Sequence, residues 1–581
     1  MVEVKASPKI STTESRDSNS VVNTNSSNFM TGISLYLCLA SLTLVLFITA
    51  LDILIVGTII DVVAEQFGNY SKTGWLVTGY SLPNAILSLL WGRFASIIGF
   101  QYSLILAILI FEAGSLVAAL ADSMNMLIIG RVVAGVGGSG LQTLCFVIGC
   151  TMVSERSRPL VISILSCAFA VAAIVGPIIG GAFTTHVTWR WCFYINLPIG
   201  GLAIVMFLLT YKVNSGGVLQ QTKNVLKMIS NFDFSEFGNP SNFKRVVNGT
   251  IFKFDFFGFA LSSTGLVLFL LGLTFGGTKY SWNSGQVIVY LVLGILLSIF
   301  SVLYDFFIFH KFNPQPDNMS YRPLFSKRLV AKPAVIIVNM VTFLLCIGYN
   351  GQMIYSVQFF QLIFASSAWK AGLHLIPIVI TNVIAAIASG VITKKLGLVK
   401  PLLTFGGFLG VIGAGLMTLM SNNSTSSTQI GVLILPGLSL GFALQASLMS
   451  AQLQIDKDRP EASMDFIEIT AFNTFMKSLG TTLGGVLSTT VFSASLKNKV
   501  SQAHLEPYVG ETVDNMILYR LHNFDGSHST IANTLSDSIK NVFWMDLGFY
   551  ALGFIFCIFS SNKRLIIPKI NKTSETTTED E

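Results

Sequence analysis

Three charged side chains lie deep inside long apolar stretches of this 581-residue sequence. Asp52 lies in the first stretch, Glu112 in the third, and Arg131 opens a glycine-rich segment in the fourth. A charge in such surroundings is expensive to bury and usually serves a function. A carboxylate there can bind and release a proton or hold a cation, and a guanidinium must find an acceptor. Asp52 and Glu112 are therefore candidates for proton coupling, Asp52 is also a candidate for binding a substrate cation, and Arg131 is expected to have a buried acceptor.

Each of these charges also has a structural interpretation. Residues 58–61 can end the first apolar stretch, which would leave Asp52 exposed to water at the end of a helix. Glu112 can make a structural hydrogen bond to a neighbouring helix, and Arg131 can anchor its helix at the level of the lipid headgroups. The sequence leaves these alternatives open.

Residue patterns for other chemistry are missing from the sequence. The seven cysteines show neither paired nor metal-ligand spacing. The sequence contains no Gly-x-x-x-x-Gly-Lys-Ser/Thr loop for nucleotide phosphates and no nucleophile constellation. We therefore expect no enzyme activity, no cofactor and no metal, and a proton gradient as the source of energy.

The composition predicts the elements that position these charges. Charged residues make up 11% of the chain, apolar residues 52%, and the mean hydropathy is +0.67. Soluble domains contain about 25% charged residues. These values exclude a soluble enzyme, a nucleic-acid binder and a disordered scaffold, and they leave an integral membrane protein.

Fourteen apolar stretches are long enough to cross a bilayer as helices, so we expect an all-α polytopic membrane protein. They cover residues 33–57, 74–95, 102–121, 126–150, 160–183, 194–211, 257–276, 286–308, 331–354, 371–392, 401–420, 430–451, 469–492 and 542–560. The expected domains are a disordered cytosolic tail (1–31), an N-terminal six-helix half (32–211), a cytosolic loop (212–256), two inserted helices (257–310), a cytosolic loop (311–330), a C-terminal six-helix half (331–560) and a cytosolic tail (561–581).

The distribution of basic residues predicts the orientation. Most of the 36 Lys and Arg residues fall in the two tails and in the loops on the side of the N-terminus, so both termini are expected in the cytosol. The sequons at Asn69, Asn422 and Asn423 then lie on the other side and can be glycosylated. Lys477, inside the thirteenth stretch, is expected to extend to the cytosolic face.

A weak internal repeat runs through the chain at an offset of about 300 residues. Residues 138–142 (GSGLQ) match 441–445 (GFALQ), and 176–181 (GPIIGG) match 480–485 (GTTLGG). Two parallel six-helix halves with a substrate site between them near the membrane midplane are typical of secondary transporters. Chance pairing of glycines in small-residue helices is the alternative.

Four motifs resemble those of the major facilitator superfamily, in its fourteen-span drug:proton antiporter branch. They are the first-helix segment 51–56 (LDILIV), the arginine-containing segment 127–138 (LIIGRVVAGVGG), the fifth-helix antiporter motif 176–181, and segment 189–200 (WRWCFYINLPIG), which matches most strongly. Within this branch, residues 32–560 resemble the fungal vacuolar basic amino acid transporters. The resemblance implies the major facilitator fold, with two six-helix halves and two inserted helices.

The resemblance also implies an activity, which is exchange of protons for lysine, histidine or arginine, from cytosol to vacuole. It gives Arg131 a role in proton transfer and makes spans 1, 4, 9 and 12 line the cavity. The substrate-binding candidates are then Asp52, Gln142, Asn350, Gln352, Gln358, Gln361 and Gln445, although each amide can instead bond a neighbouring helix. The residues Gly176, Pro177, Gly180 and Gly181 would form a sliding contact between conformations, or simply pack tightly.

The expected partners are a basic amino acid or organic cation, protons and the lipid bilayer, with no nucleic acid and a monomeric protein. Two other functions stay open. One is a plasma-membrane exporter of toxic cations or drugs, and the other is a non-transporting nutrient sensor.

One segment departs from the family pattern. In the loop after span 2, the family's aspartate is Ser96, and three basic positions are Ile97, Phe100 and Gln101. The family's charge pairs at the cytosolic gate cannot form with these residues. Either another contact holds the gate, or the outward-facing state is less favoured.

Overall fold

The computed structural model describes residues 29–68, 72, 74–211, 255–277, 280–312, 322–366, 368–459, 461–503, 513, 516–517, 520, 526 and 529–565. These residues form helices and no β-sheet. Thirteen of the described helices are long and apolar enough to cross a membrane, and a further helix of 25 residues, α2, is more polar. The fourteen long helices are α1 (Ile33–Phe67), α2 (Gly74–Ile98), α3 (Phe100–Ala119), α4 (Met124–Thr151), α5 (Arg158–His186), α6 (Asn196–Thr210), α7 (Phe256–Phe275), α8 (Gly285–Leu303), α9 (Pro333–Phe364), α10 (Ile376–Leu396), α11 (Lys400–Met417), α12 (Ser426–Gln452), α13 (Ala462–Gln502) and α14 (Thr530–Ile558).

Four helices are longer than the apolar stretches that predict them. α1 continues to Phe67, α9 to Phe364 and α13 to Gln502, and α14 begins at Thr530. Hydropathy marks only the apolar part of a span, whereas backbone hydrogen bonding continues through polar residues outside it. The predicted spans therefore mark the apolar parts of these four helices and not the ends of the helices.

The helices form two halves with the same internal arrangement. In the first half α3 and α2 pack on α4, and α1 packs on α5; in the second, α11 and α10 pack on α12, and α9 packs on α13. The halves meet where α2 packs on α13 and α5 packs on α10. The inserted helices α7 and α8 pack on each other, and α7 also contacts α2 and α13. This is the arrangement of two six-helix halves plus an inserted pair that the sequence predicts.

Close glycine contacts fix α4 against α3. A Cβ on Gly114 would lie 2.2 Å from the Ala134 nitrogen, and one on Gly137 would lie 2.3 Å from the Phe111 nitrogen. Only glycine permits two backbones to approach this closely. The glycine-rich segment of α4 is therefore held at a fixed depth, and Arg131 with it.

Charged residues join the halves at the face of the bundle where α1 begins, which we call the amino-terminal face. Arg93 on α2 lies 3.9 Å from the Glu468 carboxylate on α13, and its guanidinium also donates to the Pro323 carbonyl. Lys457, before α13, pairs with Glu155, before α5, at 2.5 Å. These two contacts cross between the halves.

The segment before α9 adds two arginines to this group. Arg322 lies 3.1 Å from Asp465 and 3.3 Å from Glu468, and Arg328 pairs with Glu461 and Asp465. We call the set Arg93, Arg322, Arg328, Glu461, Asp465 and Glu468 the amino-terminal brace. The structure therefore has another set of charge pairs between the two halves where the family's pairs are missing.

Candidate functional site

Asp52 and Arg131 form one buried ion pair. The Arg131 Nη1 donates to the Asp52 Oδ2 at 2.5 Å, and the two residues are 1% and 0% exposed. α1 continues for fifteen residues beyond Asp52, to Phe67. Arg131 is about 10 Å along α4 from its first residue, at 1.5 Å per residue. The interpretations of Asp52 as water-exposed and of Arg131 as a headgroup anchor are therefore wrong.

Other polar groups complete the surroundings of this pair. The Arg131 Nε donates to the Leu76 carbonyl at 3.1 Å, and its guanidinium lies 4.6 Å from the Tyr80 ring centroid. The Asn196 Nδ2 lies 3.2 Å from both the Asp52 Oδ1 and the Ser115 hydroxyl. Five helices, α1, α2, α3, α4 and α6, thus meet at one ionisable centre.

Segment 189–200 supplies part of this centre. Asn196 bonds Asp52, and the Phe193 ring centroid lies 5.9 Å from the Arg131 guanidinium. Trp189 donates from its Nε1 to the Gln66 side chain on α1 at 2.7 Å. The short helix Trp191–Tyr194 therefore locks α6 against the end of α1.

Glu112 lies apart from the pair and faces Gly200. Both of its carboxylate oxygens are buried, and neither has a hydrogen-bond partner within the described residues. A Cβ on Gly200 would lie 1.9 Å from the Glu112 Oε1, so α3 and α6 touch at this carboxylate. The structural hydrogen bond that the sequence allows for Glu112 is not formed to any described residue.

The fifth-helix motif packs against α1 close to Asp52. A Cβ on Gly180 would lie 2.2 Å from the Thr58 hydroxyl, and one on Gly176 would lie 3.4 Å from the Leu54 Cβ. Gly181 faces open space. Pro177 contacts the second half, because a Cβ on Gly372 would lie 2.9 Å from its ring. The motif therefore joins the helix that carries Asp52 to the other half.

A cavity of about 220 Å³ lies between the two halves. Its polar lining comes from α2, α4, α5, α9, α10, α12 and α13, and Ile53 and Leu54 line it from α1. The polar lining residues are Ser81, Asn84, Gln142, Ser166, Tyr349, Asn350, Asn382, Gln445, Lys477, Ser478, Thr481 and Thr482. The site that the internal repeat predicts between the halves is thus present as a space.

The structure separates the predicted substrate-binding residues into two groups. Gln142, Asn350 and Gln445 line the cavity, and Asn350 also donates to the Thr481 carbonyl at 2.8 Å. Gln352 instead accepts a hydrogen bond from the Tyr550 hydroxyl at 3.3 Å. Neither Gln352 nor Asp52 lines the cavity.

Gln358 and Gln361 belong to α9 rather than to the loop after it. Neither lines the cavity, and the Gln358 Oε1 is buried without a partner among the described residues.

Two of the predicted glycosylation sites lie at the face opposite the amino-terminal one. Asn422 and Asn423 occupy the turn between α11 and α12, and the Asn422 Nδ2 donates to the Asn533 side chain at 2.5 Å. Asn69 lies outside the described residues.

Asp546 on α14 is a buried carboxylate that the sequence reasoning missed. Its two oxygens have no hydrogen-bond partner among the described residues, and the Ser488 hydroxyl nearby has none either. A Cβ on Gly351 would lie 2.5 Å from both the Asp546 Oδ1 and the Ser488 Oγ. The signal was visible in the sequence, because Asp546 falls inside the predicted span 542–560.

Lys477 does not extend to the amino-terminal face. It lines the cavity, and its Nζ lies 4.4 Å from the Phe169 ring centroid and 5.7 Å from that of Phe146. The expectation that it snorkels is wrong because Lys477 is fifteen residues into α13, about 22 Å from its start. A lysine side chain cannot cover that distance.

Comparison with known protein families and sequences gives several matches. The model of the Major Facilitator Superfamily matches residues 42–316. Vacuolar basic amino acid transporter 5 of Saccharomyces cerevisiae is 86% identical over 549 residues, which cover 94% of each chain. Vacuolar basic amino acid transporter 3 of that yeast is 84% identical, over 79% of this chain and 100% of the relative. Azole resistance protein 1, also from that yeast, is 48% identical over 92% of this chain and 89% of the relative.

Two solved structures share the arrangement of helices. The human organic anion transporter MFSD10 superposes with a TM-score of 0.52 at 12% identity, over 91% of this chain and 100% of that chain. The proton:xylose symporter XylE gives 0.53 at 13% identity, over 90% and 95%. At this identity the likeness shows the fold.

Proposed function

The chain belongs to the Major Facilitator Superfamily, and on that premise we propose that it is an antiporter that exchanges protons for basic amino acids, carrying them from cytosol into vacuole. The yeast relatives at 86% and 84% identity are named as vacuolar basic amino acid transporters. The observation that carries the proposal is a cavity between the halves with polar side chains in its lining, beside a buried ionisable pair on two of the helices that line it.

Proton coupling is proposed to act through Asp52. Protonation of its carboxylate removes the charge that holds Arg131, and leaving one buried partner unpaired costs about 3–5 kcal/mol. A proton therefore changes the relative free energy of any two arrangements of α1 and α4 that differ in this contact. Since Ile53 and Leu54 on α1 and Gln142 on α4 line the cavity, the change reaches the substrate site directly.

Two further carboxylates fit a role in proton binding. Glu112 and Asp546 are both without a partner among the described residues. Burying an unpaired ionised carboxylate costs far more than burying a protonated one. Glu112 lies in the first half, as the Asp52–Arg131 ion pair does. Asp546 lies in the second half.

Transport itself is proposed as a rocking of the two halves about the cavity. Segments 32–211 and 331–560 move as units, and the inserted pair 257–310 stays beside α2 and α13. The amino-terminal face is assigned to the cytosol because the basic residues collect there. The protein acts as a monomer, since each chain has its own cavity between its halves.

Uptake by sealed vesicles tests this function. Vesicles that contain the full chain and are acidic inside should accumulate arginine, lysine and histidine, and an uncoupler should abolish the accumulation. Uptake that is unchanged by the uncoupler would contradict the proton mechanism. Vesicles without the protein are the control for leakage.

Export of toxic cations across the plasma membrane is the second candidate. It is supported by the 48% identity to a relative named for azole resistance. A tagged copy at the vacuole, with reduced vacuolar arginine in a deletion strain and unchanged survival on toxic cations, would favour amino acid transport. The opposite results would favour export, and ligand binding without any flux would favour a nutrient sensor.

A further inference from the structure

Lys477 places a positive charge between the two halves. It belongs to α13 of the second half, while the aromatic rings nearest its Nζ, Phe169 and Phe146, belong to α5 and α4 of the first. An ammonium over an aromatic face gains roughly 0.5–2 kcal/mol. That contact does not neutralise the charge of this half-buried ammonium, which faces the cavity.

No anion compensates this charge within the part of the chain that the structure describes. The Lys477 Nζ has no carboxylate within salt-bridge distance there and no hydrogen-bond acceptor, and the described cavity lining contains no Asp or Glu. Charges inside a membrane protein normally pair with one another or mark the path of a substrate. Lys477 lines the cavity directly, so an anionic group of a bound substrate can reach it.

Two buried acceptors line the same cavity. The Asn84 Oδ1 on α2 and the Gln445 Oε1 on α12 have no donor within the described residues, although the two side chains are only 7% and 5% exposed. Buried polar atoms in proteins are nearly always hydrogen-bonded. A donor that arrives with the substrate satisfies them.

We propose that Lys477 binds the α-carboxylate of the transported amino acid, while the Asn84 and Gln445 side-chain oxygens accept hydrogen bonds from its nitrogen groups. The cavity then offers one donor cation and two neutral acceptors, which match a zwitterion with an additional basic group. This inference rests on the proposed function, because it names how that substrate is held.

A selectivity follows from this placement. An organic cation without a carboxylate meets the charge of Lys477 with nothing to neutralise it, and like charges in a cavity of low dielectric constant repel strongly. The cavity should therefore distinguish arginine from its decarboxylated form, agmatine, although the two share a guanidinium. A charge-assisted hydrogen bond corresponds to roughly ten- to hundred-fold in affinity.

Binding to the purified full-length protein tests the inference without any gradient. Affinities are measured by calorimetry for two matched pairs, arginine with agmatine and lysine with cadaverine. The intact protein should bind each amino acid at least about ten-fold more tightly than its decarboxylated partner. Equal affinities, or no binding of any of the four, would overturn the proposal, and this comparison needs no variant.

Variants then assign the preference to Lys477. Lys477→Met should remove the preference for the amino acids and leave agmatine binding equal or tighter, while Lys477→Arg should keep the preference. Lys497→Met makes the same chemical change on α13 outside the cavity and should alter nothing. A preference that persists in Lys477→Met would refute the assignment.

The outcomes separate this inference from the transport proposal. Binding that depends on Lys477, in vesicles that show no proton-driven uptake, would uphold the inference and reject transport. Proton-driven uptake of arginine and agmatine at equal rates would uphold transport and reject the role of Lys477.

Discussion

Replacing Asp52 by asparagine should uncouple transport while leaving the chain folded. The substitution keeps the shape of the side chain and removes the charge that the Arg131 guanidinium approaches at 2.5 Å. Arg131 keeps its bond to the Leu76 carbonyl and its position on the Tyr80 ring. Because part of its surroundings remains, we expect a loss near the lower end of the range for a broken buried pair, about 3 kcal/mol.

Two measurements test the expected losses of stability and of coupling. Thermal unfolding in detergent should show a clear loss of stability for Asp52→Asn, and proton-driven arginine uptake should fall to the level of empty vesicles. The double variant Asp52→Asn/Arg131→Met should be less destabilised than the sum of its single variants, because it leaves neither charge unpaired. Asp537→Asn, in the exposed pair with Lys540 on α14, is the matched control and should cost at most about 1 kcal/mol.

Additive losses in the double variant would contradict the pairing that the structure shows. Normal proton-driven uptake by Asp52→Asn would remove Asp52 from the coupling mechanism, whatever its effect on stability.

Three other changes test separate parts of the structure. Gly200→Ala brings a methyl group 1.9 Å from the Glu112 Oε1 and should destabilise the protein by about 1–3 kcal/mol in thermal unfolding. Adding Glu112→Ala to the same chain should restore part of the lost stability. No restoration would argue against the contact between Gly200 and Glu112. Asp546→Asn removes a buried carboxylate that has no partner among the described residues. The melting temperature should therefore stay the same or rise, while the pH dependence of uptake changes. A marked drop in melting temperature would show that the carboxylate has a stabilising partner. Glu468→Gln weakens the amino-terminal brace and should speed the reaction of a cysteine placed at Ala471, which is buried between α2 and α13, with a water-soluble thiol reagent. An unchanged rate would show that the brace does not keep this face closed.

The sequence predicts the architecture well because each span carries its own signal. A run of about 20 apolar residues is sufficient to mark a transmembrane helix, and all fourteen runs became helices. That Asp52 and Arg131 are charges within a span was also visible, since a charge within such a run stands out. Their pairing was not visible, because it depends on how α1 and α4 are rotated, and 79 residues separate them.

The missed features share this physical origin. The brace brings Arg93 to Glu468, and the cavity brings Lys477 to Phe169, and in neither pair are the two residues near each other in the chain. Span length gives the depth of a residue only when the ends of the helix are known. The true start of α13 at Ala462 places Lys477 far from the face to which it was assigned.

The contacts between the two halves differ in chemistry along the membrane normal. Near the amino-terminal face they are ion pairs, such as Lys457 with Glu155, whereas the contact of Pro177 with Gly372 further along α5 is apolar. Dissolved salt screens exposed ion pairs, while apolar contacts weaken on cooling. If the two halves rock as proposed, ionic strength and temperature should therefore shift the resting population of the empty carrier in independent ways, and the electrolyte content of the cell would influence which side of the membrane it faces.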